Sequence, residues 1–330
     1  MARRLKPLLS LLAVLAAASP AACAPPDPLE AYAHPQRLVR LPDGRRMNLY
    51  CLGDKGPVVV LDAGIGGTTF SWGSVQSKLA VNFRACAYDR AAMGFSDPGP
   101  LPRDARSRVA DLHALLKASG LPGPYILVGH SLGGLNARLY AALHPGEVAG
   151  LVLVDPSVPR QDARMYAALG GTPPDSNAGR RACLKAAEAG LQPGTPQYDR
   201  CVGKLPEKWP QAFRDALAHM KTDPAFFRAE VSEYDSLVGV DADQVDQAPQ
   251  SLGDLPLIVL TAENTYRDGV SPAYAETLSA LWNHMHDEIA ALSTRGVNRL
   301  VPGSGHLIQN DNPVAVASAV REVADQARRR

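Results

Sequence analysis

A serine flanked by glycines is the first residue in this sequence whose setting predicts chemistry. The segment Gly129-His130-Ser131-Leu132-Gly133 directly follows an apolar run, Tyr125 to Val128, and opens a helical pattern. A chain that turns sharply from strand into helix holds such a serine in a strained conformation, with its hydroxyl projecting above the sheet. The glycines leave room where strand, turn and helix crowd together. We therefore predict that Ser131 is a nucleophile; an ordinary tight turn before a helix is the alternative.

A serine hydroxyl is a weak nucleophile and requires a neighbouring base. Among the eight histidines, His306 lies in a glycine-rich loop directly after the last apolar run, Asn298 to Val301. Because the carboxyl ends of parallel strands meet at one edge of a sheet, this loop is expected beside Ser131. His284 and His286 are two residues apart on a predicted helix, so they face different directions and form a poor metal pair. We predict His306 as the general base.

The carboxylate that would orient this histidine has several candidates. Asp155 immediately follows the apolar run Leu151 to Val154. Glu263 follows the next run, Leu257 to Leu260, and Asp268 lies further along the same loop. A turn or cap residue before the next proline is the rival interpretation of Asp155. The spacing favours Asp155 and leaves Glu263 and Asp268 open.

A glycine-rich segment after the apolar run Val58 to Leu61 is the candidate for stabilising charge on a substrate oxygen. It reads Asp62-Ala63-Gly64-Ile65-Gly66-Gly67, and its glycines allow main-chain N–H groups to approach a ligand closely. The first N–H groups of the helix after Ser131 are also unpaired and carry partial positive charge. We expect the main-chain N–H groups of Ile65 and Leu132 to form an oxyanion hole.

The elements that must position these residues alternate along the chain. Short apolar runs predict strands at Met47 to Cys51, Val58 to Leu61, Arg84 to Tyr88, Tyr125 to Val128, Leu151 to Val154, Leu257 to Leu260 and Asn298 to Val301. Amphipathic patterns predict helices at Ser107 to Ser119, Leu132 to Leu143 and Pro313 to Ala327. Strand–helix alternation of this kind predicts an α/β protein whose parallel sheet is covered on both faces.

Residues 156–249 break the alternation, because they contain several prolines and no convincing strand. Helical pieces are predicted at Asn177 to Ala189, Trp209 to Lys221 and Pro224 to Val238. We interpret 156–249 as a helical cap inserted into a core formed by residues 25–155 and 250–330.

Taken together, these segments resemble the α/β-hydrolase superfamily. The matching pieces are Ala63-Gly64, Asp89-Arg90 followed by Gly94-Phe95-Ser96-Asp97, the Ser131 turn, and Gly305-His306, in the family's order. The resemblance implies an α/β-hydrolase fold: an eight-stranded, mostly parallel sheet with helices on both faces and a helical cap after the sixth strand. It also implies catalysis through an acyl-enzyme, with no cofactor. The Asp89-Arg90 loop is interpreted as structural, tied by an Asp–Arg pair.

The resemblance also favours one candidate for the carboxylate that orients His306. The position at which the family most often carries it aligns with Thr265, which cannot act as one. Some members instead take the acid from the end of the sixth strand, where Asp155 lies. The resemblance therefore favours Asp155 over Glu263.

Four cysteines follow the leader, at Cys51, Cys86, Cys183 and Cys201. Their even number permits two disulfides with three possible pairings, and none has zinc-ribbon spacing, so no metal site is expected. In the sheet order of the family the second and fourth strands are neighbours. The resemblance therefore implies a Cys51–Cys86 disulfide, and a Cys183–Cys201 disulfide within the cap; free buried thiols are the alternative.

The amino terminus predicts export. A basic start, the apolar run Leu8 to Ala18 and a small-residue stretch are typical of a secretory signal peptide, here residues 1–24, and the run is too short to span a bilayer. Cys23 would tether the protein to a membrane if lipidated, but Pro20 stands where such signals carry an aliphatic residue. Loss of the leader would change the formal net charge from +1 to −2. A chain of this charge lacks the basic surface that nucleic-acid binding requires.

We therefore expect an exported, periplasmic or extracellular, hydrolase of small-molecule carboxylic esters or related acyl bonds. Ser131 would attack, His306 would carry the proton and Asp155 would orient it. An exported aminopeptidase and a cofactor-free perhydrolase on the same triad are alternatives, and a ligand-binding protein without turnover is another of a different class. An apolar acyl or alcohol group is expected to suit the cap residues Phe213, Phe226, Phe227 and Leu237.

Overall fold

An eight-stranded sheet forms the centre of the molecule, with the strand order β1-β2-β4-β3-β5-β6-β7-β8. The computed structural model describes residues 27–172, 174–266 and 271–329. The predicted leader, Cys23 and Asp268 lie outside the described residues. Strand β2 runs antiparallel to β1 and β4, and the remaining neighbours pair in parallel. The predicted α/β class and mostly parallel eight-stranded sheet are confirmed.

The strands agree closely with the apolar runs of the sequence. They are β1 Leu38–Arg40, β2 Arg46–Leu52, β3 Val58–Asp62, β4 Arg84–Tyr88, β5 Tyr125–His130, β6 Val148–Val154, β7 Leu257–Ala262 and β8 Gly296–Val301. Every predicted run lies within one of these strands. The edge strand β1 was not predicted individually, because it has only three residues and buries only Val39.

The helices cover both faces of the sheet and fill the interval 156–249. They are α1 Gly73–Leu79, α2 Ala105–Ser119, α3 Leu132–Leu143, α4 Gln161–Ala168, α5 Ala178–Glu188, α6 Pro196–Cys201, α7 Gln211–Met220, α8 Pro224–Leu237, α9 Val240–Asp246, α10 Pro272–Ala290, α11 Ile308–Asp311 and α12 Pro313–Arg328. Short 3₁₀ turns lie at Pro28–Ala33, Thr69–Trp72 and Pro145–Glu147.

Alternate residues of each central strand belong to different cores, as the two-residue period of a strand requires. In β3, Val58 and Val60 pack into the layer that contains α2, α3 and α10. Val59 and Leu61 pack into the opposite layer with α1 and α12. Burial on both faces explains why these strands read as continuous apolar runs rather than as alternating patterns.

Helices α4 to α9 occupy the interval interpreted as a cap, and its described residues contain no strand. The predicted helices at Asn177 to Ala189, Trp209 to Lys221 and Pro224 to Val238 correspond to α5, α7 and α8. The short helix α6 was not predicted, although Thr195 caps its first turn by accepting a hydrogen bond from Tyr198 N, and Pro196 starts it.

Two disulfides join the cysteines in the pairs that the resemblance implied. Cys51 of β2 and Cys86 of β4 stand directly opposite each other in the sheet register and are bonded at 2.07 Å. Cys183 and Cys201 connect α5 to α6 at 2.02 Å. Disulfides are typical of proteins in oxidising compartments. Among the described residues, no helix has both the length and the apolar character needed to cross a membrane.

A buried ion pair attaches the cap to the core. Arg108 of α2 and Asp241 of α9 form it, and both side chains are fully buried. Asp241 Oδ1 also accepts a hydrogen bond from Ala105 N at 2.7 Å, and Arg108 Nε donates one to Asn136 Oδ1 at 2.9 Å. Because each charge is enclosed, removing one partner leaves the other uncompensated.

We expect Asp241→Ala to lower the free energy of unfolding by about 3–5 kcal/mol, because Arg108 then stays buried without its partner. Urea denaturation followed by circular dichroism measures this loss. The matched control is Asp243→Ala on the same helix, which removes only an exposed pair with Arg160 and should leave the midpoint unchanged. Equal midpoints for the two variants would show that the buried pair does not stabilise the fold.

Candidate active site

Ser131 lies between β5 and α3, in a conformation that few residues adopt. Its φ is 52° and its ψ is −120°, which is strained for a residue with a side chain. A Cβ on Gly129 would lie 2.2 Å from the carbonyl O of Gly133, and one on Gly133 would lie 2.2 Å from that of Asp62. No side chain fits at these distances. The close approach of strand, turn and helix therefore requires both glycines of the predicted turn.

Asp155 follows β6 directly and is completely buried. Its carboxylate accepts four hydrogen bonds from separate parts of the chain. Oδ1 accepts from Ala262 N at 3.0 Å and from Trp282 Nε1 at 2.8 Å. Oδ2 accepts from Thr265 Oγ1 at 2.7 Å and from His306 Nδ1 at 2.7 Å. The predicted acid and base are therefore in direct contact.

The electrostatics of Asp155 favour the ionised form. Burial by itself raises the pKa of a carboxyl group, but the hydrogen bond and the charge of His306 outweigh it and hold the pKa of Asp155 below its usual value. A carboxylate only accepts hydrogen bonds, so His306 Nδ1 carries the proton that it donates. This tautomer leaves His306 Nε2 free to take up another proton.

The other acid candidate within the described residues has a different contact. Glu263 Oε2 accepts a hydrogen bond from Gly303 N at 2.8 Å, which ties the loop after β7 to the loop after β8. Thr265, at the position where the family most often carries its acid, donates to Asp155 instead. Thr265 and Trp282 were not predicted as partners of Asp155, because no local pattern marks a donor to a distant carboxylate.

His130 supports the same loop from below. Its Nε2 donates to the main-chain O of His306 at 2.9 Å, and the two rings lie 4.6 Å apart. Burial, reinforced by repulsion from His306, lowers the pKa of His130 to about 3, so its ring is neutral at physiological pH. His130 therefore packs beside the site and supports the main chain of the His306 loop.

The glycine-rich loop after β3 passes directly over Ser131. A Cβ on Gly64 would lie 3.2 Å from Ser131 Cβ and 2.9 Å from His130 Nδ1. Within the described part of the chain, the N–H groups of Ile65 and Leu132 have no hydrogen-bond partner. Both main-chain donors expected at an oxyanion hole are therefore available to a ligand.

Arg90 holds this loop from its buried side. Its Nη1 donates to Ala63 O at 2.6 Å and its Nη2 donates to Gly64 O at 2.7 Å. In a trans peptide the C=O and the following N–H point in opposite directions, so the contact with Gly64 O turns Ile65 N–H away from Arg90. The buried cation thereby sets the direction of a donor that lies beside Ser131.

The ion pairs of Arg90 correct one sequence interpretation. Arg90 pairs with Asp62 at 2.8 Å and with Glu233 of cap helix α8 at 2.7 Å, and all three side chains are buried. Asp89, the partner expected from the sequence, accepts hydrogen bonds from Thr69 N at 2.7 Å and Asn48 Nδ2 at 2.8 Å instead. Adjacent residues on a chain leaving a strand point in different directions, which separates Asp89 from Arg90.

A cavity of about 410 Å³ opens above Ser131. The described residues that line it are Gly64, Ile65, His130, Ser131, Ser157, Gln161, Arg180, Tyr234, Leu237, Thr265, Tyr266, Trp282, His306 and Leu307. A larger groove of about 840 Å³ along α10 includes Glu263, but neither Ser131 nor His306 is among its described lining residues.

The expectation of an apolar cap lining is wrong for three of its four residues. Leu237 lines the cavity, but Phe213 packs against Phe70 at 4.6 Å between ring centroids. Phe226 and Phe227 pack against each other at 5.1 Å in a small core of the cap. Helical spacing identifies apolar residues without showing which neighbour they meet.

Known proteins resemble this chain in sequence and in fold. The model of the family described as "Alpha/beta hydrolase family" matches residues 58–319. The uncharacterized protein YqjL of Bacillus subtilis is 33% identical over 106 residues, which are 32% of this chain and 42% of that protein. N-formylmaleamate deformylase of Pseudomonas putida is 34% identical over 125 residues, 38% of this chain and 46% of that enzyme. Each match thus spans less than half of the relative.

Solved structures extend the similarity to most of the chain. An esterase from Exiguobacterium antarcticum superposes with a TM-score of 0.60 and covers 87% of this chain and 98% of its own. Its sequence identity is 17%, so this likeness concerns the fold alone.

We expect Arg90→Lys to loosen the loop over Ser131. A lysine ammonium has fewer N–H donors than a guanidinium and lacks its planar arrangement, so it cannot bond two carbonyls and two carboxylates at once. Hydrogen exchange followed by mass spectrometry should show faster exchange in residues 63–67, where Gly67 N donates to the held Gly64 O at 3.0 Å. Arg46→Lys, at an exposed pair with Asp97, is the control and should leave this segment unchanged. Unaltered exchange in Arg90→Lys would contradict the holding role.

Proposed function

The chain belongs to the alpha/beta hydrolase family, and on that premise we propose that it is a serine hydrolase of small-molecule carboxylic esters or related acyl bonds. The observation that carries this proposal is the 2.7 Å contact between His306 Nδ1 and the buried Asp155 carboxylate, at the sheet edge where Ser131 lies. His306 and Ser131 line the same cavity. A polarised base beside a strained serine is the arrangement that nucleophilic catalysis requires.

The proposed reaction has two halves on one serine. Ser131 Oγ attacks the carbonyl carbon, and His306 Nε2 takes the hydroxyl proton. The bond to the leaving group breaks as His306 returns that proton to the departing alcohol, which leaves an acyl group on Ser131. Water then attacks the acyl carbon, His306 takes its proton, and Ser131 Oγ leaves with that proton as the carboxylic acid is released.

The surrounding residues have separate parts in this scheme. Asp155 stays ionised and stabilises the imidazolium that forms at His306. Ile65 N–H and Leu132 N–H donate to the oxygen that becomes negative in each tetrahedral intermediate. Ser131 Oγ contacts Ser157 Oγ at 3.4 Å, a distance at which a hydrogen bond is weak. This weak contact leaves the hydroxyl available to His306, which lines the same cavity.

Cleavage of an amide or formamide is a second candidate on the same residues. It is favoured by the 34% identity to N-formylmaleamate deformylase. The aminopeptidase alternative has less support, since an α-ammonium group needs a carboxylate, and the described residues lining the cavity contribute none. Perhydrolysis would use the same triad with hydrogen peroxide in place of water, and ligand binding would use the same cavity without turnover.

We further propose that this hydrolase acts outside the cytoplasm, in the periplasm or extracellularly. The two disulfides support this location, since reducing compartments keep thiols free. The division into a core of 25–155 and 250–330 and a cap of 156–249 is proposed on the same footing, because α4 to α9 fill that interval.

A fluorophosphonate probe should label Ser131 covalently, because the probe reacts only with an activated serine. Peptide mass spectrometry locates the adduct, and Ser131→Ala should abolish it and lower p-nitrophenyl ester hydrolysis by at least about 10³-fold. Ser157→Ala is the control and should keep the label. Absence of any adduct in the folded wild-type protein would leave the binding protein as the better interpretation.

Asp155→Asn should lower kcat by about 10⁴-fold, because an amide cannot hold His306 in the required tautomer or stabilise its charged form. Glu263→Gln should keep nearly normal kcat. Steady-state assays on one p-nitrophenyl ester compare the two variants, with circular dichroism to establish that both are folded. The assignment of the acid is wrong if the two outcomes are reversed.

A further inference from the structure

The charge of the cavity wall distinguishes this site from an apolar ester pocket. Among its described lining residues, Arg180 of cap helix α5 is the one guanidinium, and no Asp or Glu is present. His130 is neutral, because its pKa is lowered to about 3. A ligand in this cavity therefore meets a permanent positive charge on the wall that the cap contributes.

The guanidinium of Arg180 keeps unused hydrogen-bond donors. Its Nη1 donates to Ser176 O at 3.3 Å, and the guanidinium stacks on Tyr234, with Cζ 4.5 Å from the ring centroid. Nε is buried and has no hydrogen-bond partner. Since Nε is enclosed and faces Glu230, the two Nη groups are the donors available to an oxygen acceptor of a ligand, and within the described part of the chain Nη2 makes no hydrogen bond.

Glu230 compensates only part of this charge. Its Oε1 lies 3.6 Å from Arg180 Nε, beyond hydrogen-bond distance. Burial is the main influence on Glu230 and raises its pKa, although Arg180 opposes that effect. The same carboxylate packs against the glycine-rich loop, since a Cβ on Gly66 would lie 2.7 Å from Oε1. Glu230 thus lies against the loop that passes over Ser131, and it is not among the described residues that line the cavity.

Rigid connections hold Arg180 in place. Helix α5 is joined to α6 through the Cys183–Cys201 disulfide. At its start, Asn177 Nδ2 donates to Val231 O at 3.0 Å and to Asp235 Oδ1 at 2.8 Å, which fixes α5 against α8. A binding group carried on fixed elements loses little conformational freedom when a ligand arrives.

We propose that the substrate of the Ser131 site carries a carboxylate group in addition to its scissile acyl bond, and that Arg180 binds this carboxylate. The proposal rests on the hydrolase function proposed above and names its substrate class. The planar guanidinium presents two parallel N–H donors that match the two oxygens of a carboxylate. A cavity of about 410 Å³ admits a small anionic ester with both groups inside.

The test compares two series of p-nitrophenyl esters with equal acyl chain lengths. One series contains the monoesters of dicarboxylic acids with five to seven carbons, and the other contains the neutral monocarboxylic esters. Wild-type kcat/KM should be higher for the anionic series. Arg180→Gln should lower it by about 10- to 100-fold for anionic esters, mainly through KM, and by less than about threefold for neutral ones.

Arg181→Gln is the matched control. Arg181 is the next residue on the same helix, but its side chain is more exposed and pairs with Asp175 and Asp235 outside the catalytic cavity. This variant should keep the anionic preference. Arg180→Lys should keep part of it, because the charge remains while the planar fork is lost. Thermal melting shows that the variants are folded before rates are compared.

The outcomes separate this inference from the proposed function. Equal losses on both series in Arg180→Gln, or no anionic preference in the wild type, would overturn the carboxylate site while hydrolysis stands. If no ester is hydrolysed, the proposed function fails, and calorimetric titration with glutarate decides the inference by itself. Binding that Arg180→Gln abolishes and Arg181→Gln retains would support it, and no binding to the wild type would overturn it.

Discussion

The buried carboxylate of Asp155 is the interaction on which the arrangement of the site depends. A carboxylate removed from water is unfavourable unless its oxygens are hydrogen-bonded, and Asp155 obtains its donors from four places: the end of β7, the loop after it, α10, and the loop after β8. These segments must assemble around one group before His306 is oriented. The positions of these later segments therefore depend on Asp155, which stands at the end of β6.

A second buried charge has the same effect on the opposite side of Ser131. Arg90 binds two carbonyls of the glycine-rich loop and two carboxylates, one in the core and one on cap helix α8. The cap is consequently connected to the loop that would stabilise a negative substrate oxygen. Arg108 and Asp241 form another enclosed pair between core and cap. Because Arg90 also joins the cap to the loop over Ser131, we describe the cap as part of the site.

The cap also shows how local patterns mislead about specificity. Its phenylalanines have the spacing of an apolar face, yet Phe213 packs against the core residue Phe70, and Phe226 and Phe227 pack against each other. The residues left to face Ser131 are more polar, and they include Arg180. The match to the family over residues 58–319 shows the fold, and one fold serves many functions. The choice of ligand therefore depends on these side chains.

The sequence by itself determined seven of the eight strands, the helices with clear amphipathic patterns, and the two residues with local signatures. Ser131 and His306 each follow a continuous apolar run, and such runs are legible because buried parallel strands need them on both faces. The candidates for the acid were narrowed to Asp155, Glu263 and Asp268, and the contact that favours Asp155 spans 151 residues of chain. Only the tertiary structure decided the roles of four other residues: Thr265, Trp282, Arg90 and Arg180. Each acts through a partner that is distant in sequence, and the spacing of residues along a chain carries no information about which distant atoms will meet.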